Sequence, residues 1–233
     1  IATSFSGDAI ETVEAYIAAG KEDCIRLAIT SGGLLAGCAE HANEPMLCYA
    51  ATGPSRNALG FVTFPLLAVL GKLGILSLAQ HDVEQTISDL ESRVSEWSES
   101  AGESSNQAKR VARNLKNSIP VVVSGASLAV AADRWQTQIN ENAKQFVIRG
   151  TIPGMLHNLV EAVTYSNTYA IHGVVLESSF DTAMERAAVE ALLENWDGFG
   201  VTYDRIQLTA NSHFSLIMQS CFLADWTSIY MAE

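Results

Sequence analysis

Positive charge is scarce in this chain. Its 233 residues carry 14 Lys and Arg against 26 Asp and Glu, a formal net charge of −12. Proteins that grip a nucleic-acid backbone do so with clustered Lys and Arg, so the balance argues against that partner. A small anionic ligand remains open, because a pocket can differ in sign from the surface around it. Cysteine is sparse too. Cys24, Cys38, Cys48 and Cys221 form no CxxC pair and have no histidine at zinc-ligand spacing, which reads as free thiols of a reducing cytoplasm. No signal peptide is expected from the opening residues IATSF. The longest uncharged stretch with a strong apolar run, NALGFVTFPLLAVLG (57–71), falls short of the ~20 residues a membrane span needs and contains Pro65. It reads as a helix buried inside a domain. Only 17% of residues are charged and 48% are hydrophobic, which is too apolar for disorder and enough for a substantial core.

What the sequence does contain is a repeated pattern of strand, small-residue turn and helix. IATSF leads through Ser6-Gly7 into a helix with Ile10, Val13, Tyr16 and Ile17 at helical spacing. CIRLAIT (24–30) is a strand apolar throughout except for Arg26, as expected where both sheet faces are covered, and it runs into SGG and a second helix. MLCYA (46–50) is a third strand. Residues 82–99 differ in kind: Val83, Ile87, Leu90, Val94 and Trp97 form one apolar stripe on an acidic helix, and ESAGESS (99–105) reads as a flexible linker. The stripe packs on the chain's own domains or a dimer mate, or else binds a partner.

The cycle then restarts with a basic helix (Lys109, Arg110, Arg113, Lys116). The strands IPVVVSG, QFVIR, AIHGVVLES and YDRIQL follow, with helices between them and a last long helix at 213–232. This pattern predicts an α/β protein of two doubly wound, flavodoxin-like parallel-sheet domains, at 1–76 and 106–233, joined by an acidic helical linker at 77–105. Both ends look cut, so the expectation is part of a longer protein.

Ligands of such folds bind at the carboxyl ends of the strands, which directs attention to the turns. In SFSGDAIET (4–12), Ser4, Ser6 and the backbone at a helix start suit a phosphate, although Ser6 also reads as a plain N-cap and the charge of Asp8 opposes an anion. Arg56, closing the turn TGPSR, reads as a solvated turn residue or as an electrophile facing a ligand. Glu141 lies near the end of its helix in NENAK, between Asn140 and Asn142: a polar final turn, or a general base. His157-Asn158 follows Pro153-Gly154. A carboxylate and an imidazole are the two titrating groups that acid–base chemistry on a sugar requires. His41 and Glu44 lack a third metal ligand, and SGASLAVAAD (124–133) lacks the lysine and spacing of a P-loop.

SFSGDAIET, AITSGG, GPSRNALGFVTFPLL and RWQTQINENAK, with LHN downstream, together resemble the bifunctional phosphoglucose/phosphomannose isomerases of the sugar isomerase (SIS) superfamily. The resemblance covers nearly the whole chain, and the NENAK-to-HN spacing is its most specific part. It implies two SIS domains per subunit, a cytoplasmic homodimer and a reaction needing neither metal nor cofactor, which interconverts fructose 6-phosphate with glucose 6-phosphate and mannose 6-phosphate. Under it Glu141 is the base, His157 from the partner subunit assists ring opening, Arg56 stabilises the enediolate, and Ser4 and Ser6 hold the phosphate. The alternative it leaves is a sugar-phosphate-binding SIS protein without catalysis. The sequence departs from the family pattern at SYSGNT, here SFSGDA, and at the residue after Pro153, here Gly154 instead of Glu. It also lacks the Gly-rich turn of a first strand and a C-terminal segment bearing a lysine.

Overall fold

The computed structural model describes residues 1–50, 52–77, 79–163 and 170–233. It divides into two compact units, Ile1–Leu78 and Ala79–Glu233. In the first, strands β1 (Ala2–Ser4), β2 (Ala28–Thr30) and β3 (Met46–Cys48) form a parallel sheet in that order. Helices α1 (Ile10–Ala19) and α2 (Gly33–His41) pack Val13, Tyr16, Leu35 and Ala39 against Ala28.

Arg26 anchors the lower part of this unit. Its guanidinium pairs with Glu44 at 2.7 Å and donates to the Tyr16 carbonyl at 2.7 Å, while Tyr16 Oη donates to Glu44 at 2.5 Å. Burial, reinforced by Glu44, pushes the Tyr16 hydroxyl up to about 12. Glu44 therefore belongs to this network.

The third helix of the unit, α3 (Leu59–Lys72), corrects the expectation of a buried helix at 57–71. None of its residues is buried, Phe61 is 47% exposed, and Leu73 and Ile75 just beyond it are 63% and 69% exposed. Its apolar composition therefore marks an accessible surface and not a buried core helix.

The second unit begins with the acidic helix α4 (Gln80–Trp97), followed by α5 (Gln107–Leu115). A four-stranded parallel sheet is built from β4 (Ile119–Ser124), β5 (Ile148–Thr151), β6 (Ile171–Ser178) and β7 (Thr202–Leu208), in the order β5-β4-β6-β7. The chain winds from β4 to one side and returns to the other, which makes this sheet doubly wound; the described strands of the first unit run in one direction only. Helices α6 (Ala129–Gln138), α7 (Leu159–Ala162), α8 (Ala183–Phe199) and α9 (His213–Ala232) complete the unit. Val121, Val123 and Val175 meet Val189, Leu192, Leu193 and Trp196 of α8 on one face of the sheet.

The C-terminal end of the α4 stripe packs on α9, where Trp97 is buried against Phe222 and Tyr230 Oη donates to the Trp97 carbonyl at 2.5 Å, while Ile87 and Val94 of the stripe are exposed. The basic helix α5 holds residues 99–103, in place of the flexible linker expected at 99–105. Lys109 Nζ donates to the carbonyls of Glu99 and Ala101, and Arg113 pairs with Glu103 at 2.6 Å.

Candidate active site

Two turns pack backbone to backbone at the carboxyl edge of the first sheet. Gly7 has φ +79°, and a Cβ there would lie 1.8 Å from the Gly32 carbonyl oxygen; Gly33 has φ +69°, and its Cβ would lie 2.3 Å from the Ser6 oxygen. Only glycine fits either position, which explains the spacing of SFSG against SGG. Within the turn the Gly7 N–H donates to Ser4 Oγ at 3.1 Å and the Asp8 N–H to Ser6 Oγ at 3.2 Å. Each hydroxyl accepts from the backbone and so keeps its own proton to donate to a ligand. Ser6 is exposed, whereas Ser4 is only 8% exposed. Asp8 turns toward the neighbouring helix, where its Oδ1 accepts the Leu34 N–H at 3.0 Å in the first turn of α2. A carboxylate of the protein thus sits where a helix start favours an anion.

Arg56 is half-buried on a short 3-10 turn, Ser55–Asn57, between β3 and α3. Beside the serine turn, Phe5, which separates Ser4 from Ser6, lies 6.3 Å from Tyr49, and Tyr49 stacks on Phe61 of α3 at 5.6 Å.

The second unit has a similar strand-to-helix turn after β4, and it is closed to anions. The Ala126 N–H donates to Glu185 at 2.8 Å and Ser127 Oγ to Asp181 at 2.8 Å. Glu185 also completes a capping box with Thr182 at the start of α8. The Thr182 and Ala126 N–H groups hold Glu185 below the usual carboxylate range.

Glu141 occupies the middle of a π-helical turn, Ile139–Ala143, that continues α6. Such turns are frequent at functional sites. Its side chain is exposed, Lys144 ends the turn in the left-handed conformation, and Lys144 Nζ donates to the Glu141 carbonyl at 2.7 Å. The polar residues around it have a specific use. Arg134, Gln138 and Asn142, four apart on one helical face, all reach α9. Arg134 bonds both oxygens of Asp225 at 2.9 Å, Gln138 donates to Asp225 at 2.5 Å, and Asn142 donates to Ser228 at 2.9 Å. Trp135 adds a 3.2 Å bond to Ser220. Burial lifts Asp225 above the ordinary carboxylate range despite the opposing Arg134 and Gln138.

Asp225 and Ser228 were not foreseen from sequence. The stripe of donors at 134, 138 and 142 was the available signal.

His157 ends a 3-10 turn, Gly154–His157, and is exposed. The structure does not bring it beside Glu141 of the same chain. Glu141 precedes β5 near the amino edge of the sheet, where Gln145 bonds the Leu115 and Ser118 carbonyls; His157 follows the carboxyl end, where the Ile152 N–H bonds the Ser124 carbonyl. A four-residue strand spans ~13 Å between them.

Comparison with known proteins places the chain in a family. A bifunctional phosphoglucose/phosphomannose isomerase of Caldicellulosiruptor bescii is 29% identical over the whole chain and 69% of its own length. One from Aquifex aeolicus is 28% identical over 99% of the chain and 68% of its length. The crystal structure of a glucose-6-phosphate isomerase-like protein from Thermus thermophilus shares the fold with a TM-score of 0.66 at 16% identity, covering 99% of this chain and 79% of that one. The model of the bacterial phospho-glucose isomerase C-terminal SIS domain matches residues 104–233. With that match spanning more than half of its residues, the chain belongs to the SIS-domain family of the bacterial phosphoglucose/phosphomannose isomerases.

Proposed function

We propose that this protein is an aldose–ketose isomerase that interconverts fructose 6-phosphate with glucose 6-phosphate, mannose 6-phosphate or both. The observation that carries this reading is Glu141: an exposed carboxylate at the centre of a π-helical turn whose neighbouring turns are pinned to α9. A base that moves a proton between C1 and C2 must be accessible yet held in place. In the aldose-to-ketose direction Glu141 removes the C2 proton. The C–H electrons form the C1–C2 double bond of an enediolate as the C1 carbonyl electrons move onto O1. A proton passes from O2 to O1, C2=O forms, and the double-bond electrons take a proton at C1 from the Glu141 carboxyl to complete the ketose.

Arg56 supplies positive charge to the enediolate, as a preorganised cation does. Ser4 and Ser6 donate their hydroxyl protons to the phosphate. Since His157 stands at the other end of β5 from Glu141, the imidazole that opens the sugar ring at a given Glu141 comes from a second copy of the chain. The reaction needs no metal or cofactor, and its setting is the cytoplasm. The two-domain arrangement, with α4 leading into the second SIS domain, belongs to the same reading.

A coupled assay tests it, supplying fructose 6-phosphate in the presence of EDTA and following glucose 6-phosphate and mannose 6-phosphate separately. Turnover of at least one is expected, and Glu141→Gln should abolish it while sugar phosphate still stabilises the fold. Turnover in Glu141→Gln equal to wild type would remove the assignment. A second reading, a sugar-phosphate-binding protein without catalysis, is motivated by the altered SFSGDA loop, whose Asp8 carboxylate accepts the Leu34 N–H. Binding of sugar phosphate with no turnover in the wild type would select it.

A further inference from the structure

We propose that the cavity between α4 and the carboxyl ends of β6 and β7 is a binding site for a neutral polyhydroxylated molecule of monosaccharide size. The cavity has a volume of about 270 Å³ and is lined by Asp89, Arg93, Ser179, Thr209, Asn211 and Gln219, among others. That volume is at the small end of ligand pockets, which run roughly 300–1,000 Å³. It lies past the carboxyl ends of parallel strands, where α/β sheets place their ligands, and α4 supplies its outer wall. Glu141 stands toward the opposite edge of the same sheet, so the inference is independent of the isomerase reading.

The lining is built from the interior outward. Gln219 is 3% exposed, and its Nε2 donates to Ser215 Oγ at 3.1 Å; Ser215, 2% exposed, donates in turn to Asp89 at 2.8 Å. This relay fixes the direction of every hydrogen bond in it. The Gln219 nitrogen donates inward, which leaves its carbonyl oxygen as the acceptor for the cavity. A ligand hydroxyl can donate to that oxygen.

Charge decides the ligand class. Arg93 is already paired with Glu96 at 2.6 Å and lies 5.6 Å over the Trp97 ring, so little of its charge remains for an anion. Asp89 would repel one. The remaining groups are hydroxyls and amides that both donate and accept, beside the acceptors Asp89 and Gln219. A ring bearing several hydroxyls matches this set; a phosphate or an apolar body does not.

The test is titration of the full chain with D-glucose and with myo-inositol. Binding is read from the side-chain amide NMR signals of Asn211 and Gln219 and, in parallel, by calorimetry. Saturable shifts of those two signals at millimolar ligand are expected. Asn211→Ala and Gln219→Met should each weaken binding roughly tenfold, the effect of losing one or two hydrogen bonds. Should Gln219→Met fail to fold, the exposed Asn211 carries the comparison alone. No saturable shift with either polyol, or unchanged affinity in the variants that fold, overturns the proposal. So does a larger shift at these amides with inorganic phosphate, which would make the cavity an anion site.

Discussion

Asp225 of α9 grips the guanidinium of Arg134 through two hydrogen bonds of 2.9 Å and takes a third, of 2.5 Å, from Gln138. One carboxylate thereby fixes two successive turns of the helix that ends at Glu141. Burial raises the Asp225 carboxyl above its ordinary range in spite of these partners. Desolvation therefore outweighs attraction, and the pair contributes more to geometry than to stability.

That balance separates two variants. Asp225→Ala removes the carboxylate but leaves the guanidinium in place, and should cost about 2–3 kcal/mol. This is less than the ~3–5 of a fully buried pair, because the two side chains are still 16% and 27% exposed. Replacing both, Arg134→Met with Asp225→Leu, should unfold near the wild-type temperature yet lose kcat roughly a hundredfold, the scale of a 1 Å misplacement, with KM little changed. Thermal unfolding beside steady-state kinetics measures both. An unchanged kcat in the folded double variant would mean that α9 does not position the base.

The second relationship concerns Asp8 and the Leu34 N–H. A phosphate bound to the serine turn would lie close to a carboxylate of the same turn, which accepts the Leu34 N–H of the adjoining helix α2 at 3.0 Å. Asp8→Asn keeps an oxygen that can accept from Leu34 and removes the charge. It is expected to lower KM for fructose 6-phosphate about tenfold and to leave kcat unchanged, since the phosphate is remote from the reacting carbons. The gain should shrink with added salt. A KM that does not move would show that the phosphate lies elsewhere.

Acid stability should report a third pair. His172, 6% exposed on β6, bonds Thr202 at 2.8 Å and Asp204 of β7 at 2.9 Å, and Asn114 of α5 donates to the same carboxylate. Burial tends to raise Asp204, but the bonds from His172 and Asn114, with Arg110 nearby, leave it lower than usual. A carboxyl depressed in the folded state stabilises above its unfolded value, ~3.9, and that contribution fades as pH falls through the folded value. Asp204→Asn should therefore flatten the stability curve below about pH 4 and lower the plateau above it. Parallel curves for the two proteins would rule the pair out as a source of acid sensitivity.

What could be read from the sequence depended on whether the signal was local. The last helix has the bounds that the sequence pattern predicts, 213–232, and in the structure Ser212 caps it. The strand QFVIR was placed too early: pairing covers Ile148–Thr151, since Gln145 bonds the Leu115 and Ser118 carbonyls and Phe146 is 88% exposed. Apolar patterning also failed for α3, where apolar composition marks an accessible surface and not a buried helix. At the site, Glu141 was visible as a motif. Asp225 and Ser228 were hidden inside an apolar helix, because their roles come from a contact across more than eighty residues. The amino-edge position of Glu141 required knowing which way α6 runs beside the sheet.

That position leads to the most demanding prediction. If the imidazole serving Glu141 comes from another chain, Glu141→Gln and His157→Ala homodimers should each be inactive and should complement when mixed and exchanged. The hybrid contains one site with both groups intact and one with neither. Random exchange makes half of the dimers hybrid, each with one of two sites working, so activity should return to about a quarter of wild type for a two-fold dimer. Recovery should follow the kinetics of subunit exchange and vanish when the two variants are cross-linked as homodimers beforehand. Persistent inactivity after demonstrated exchange would mean that His157 acts within its own chain or not at all, and the ring-opening role would pass to another residue.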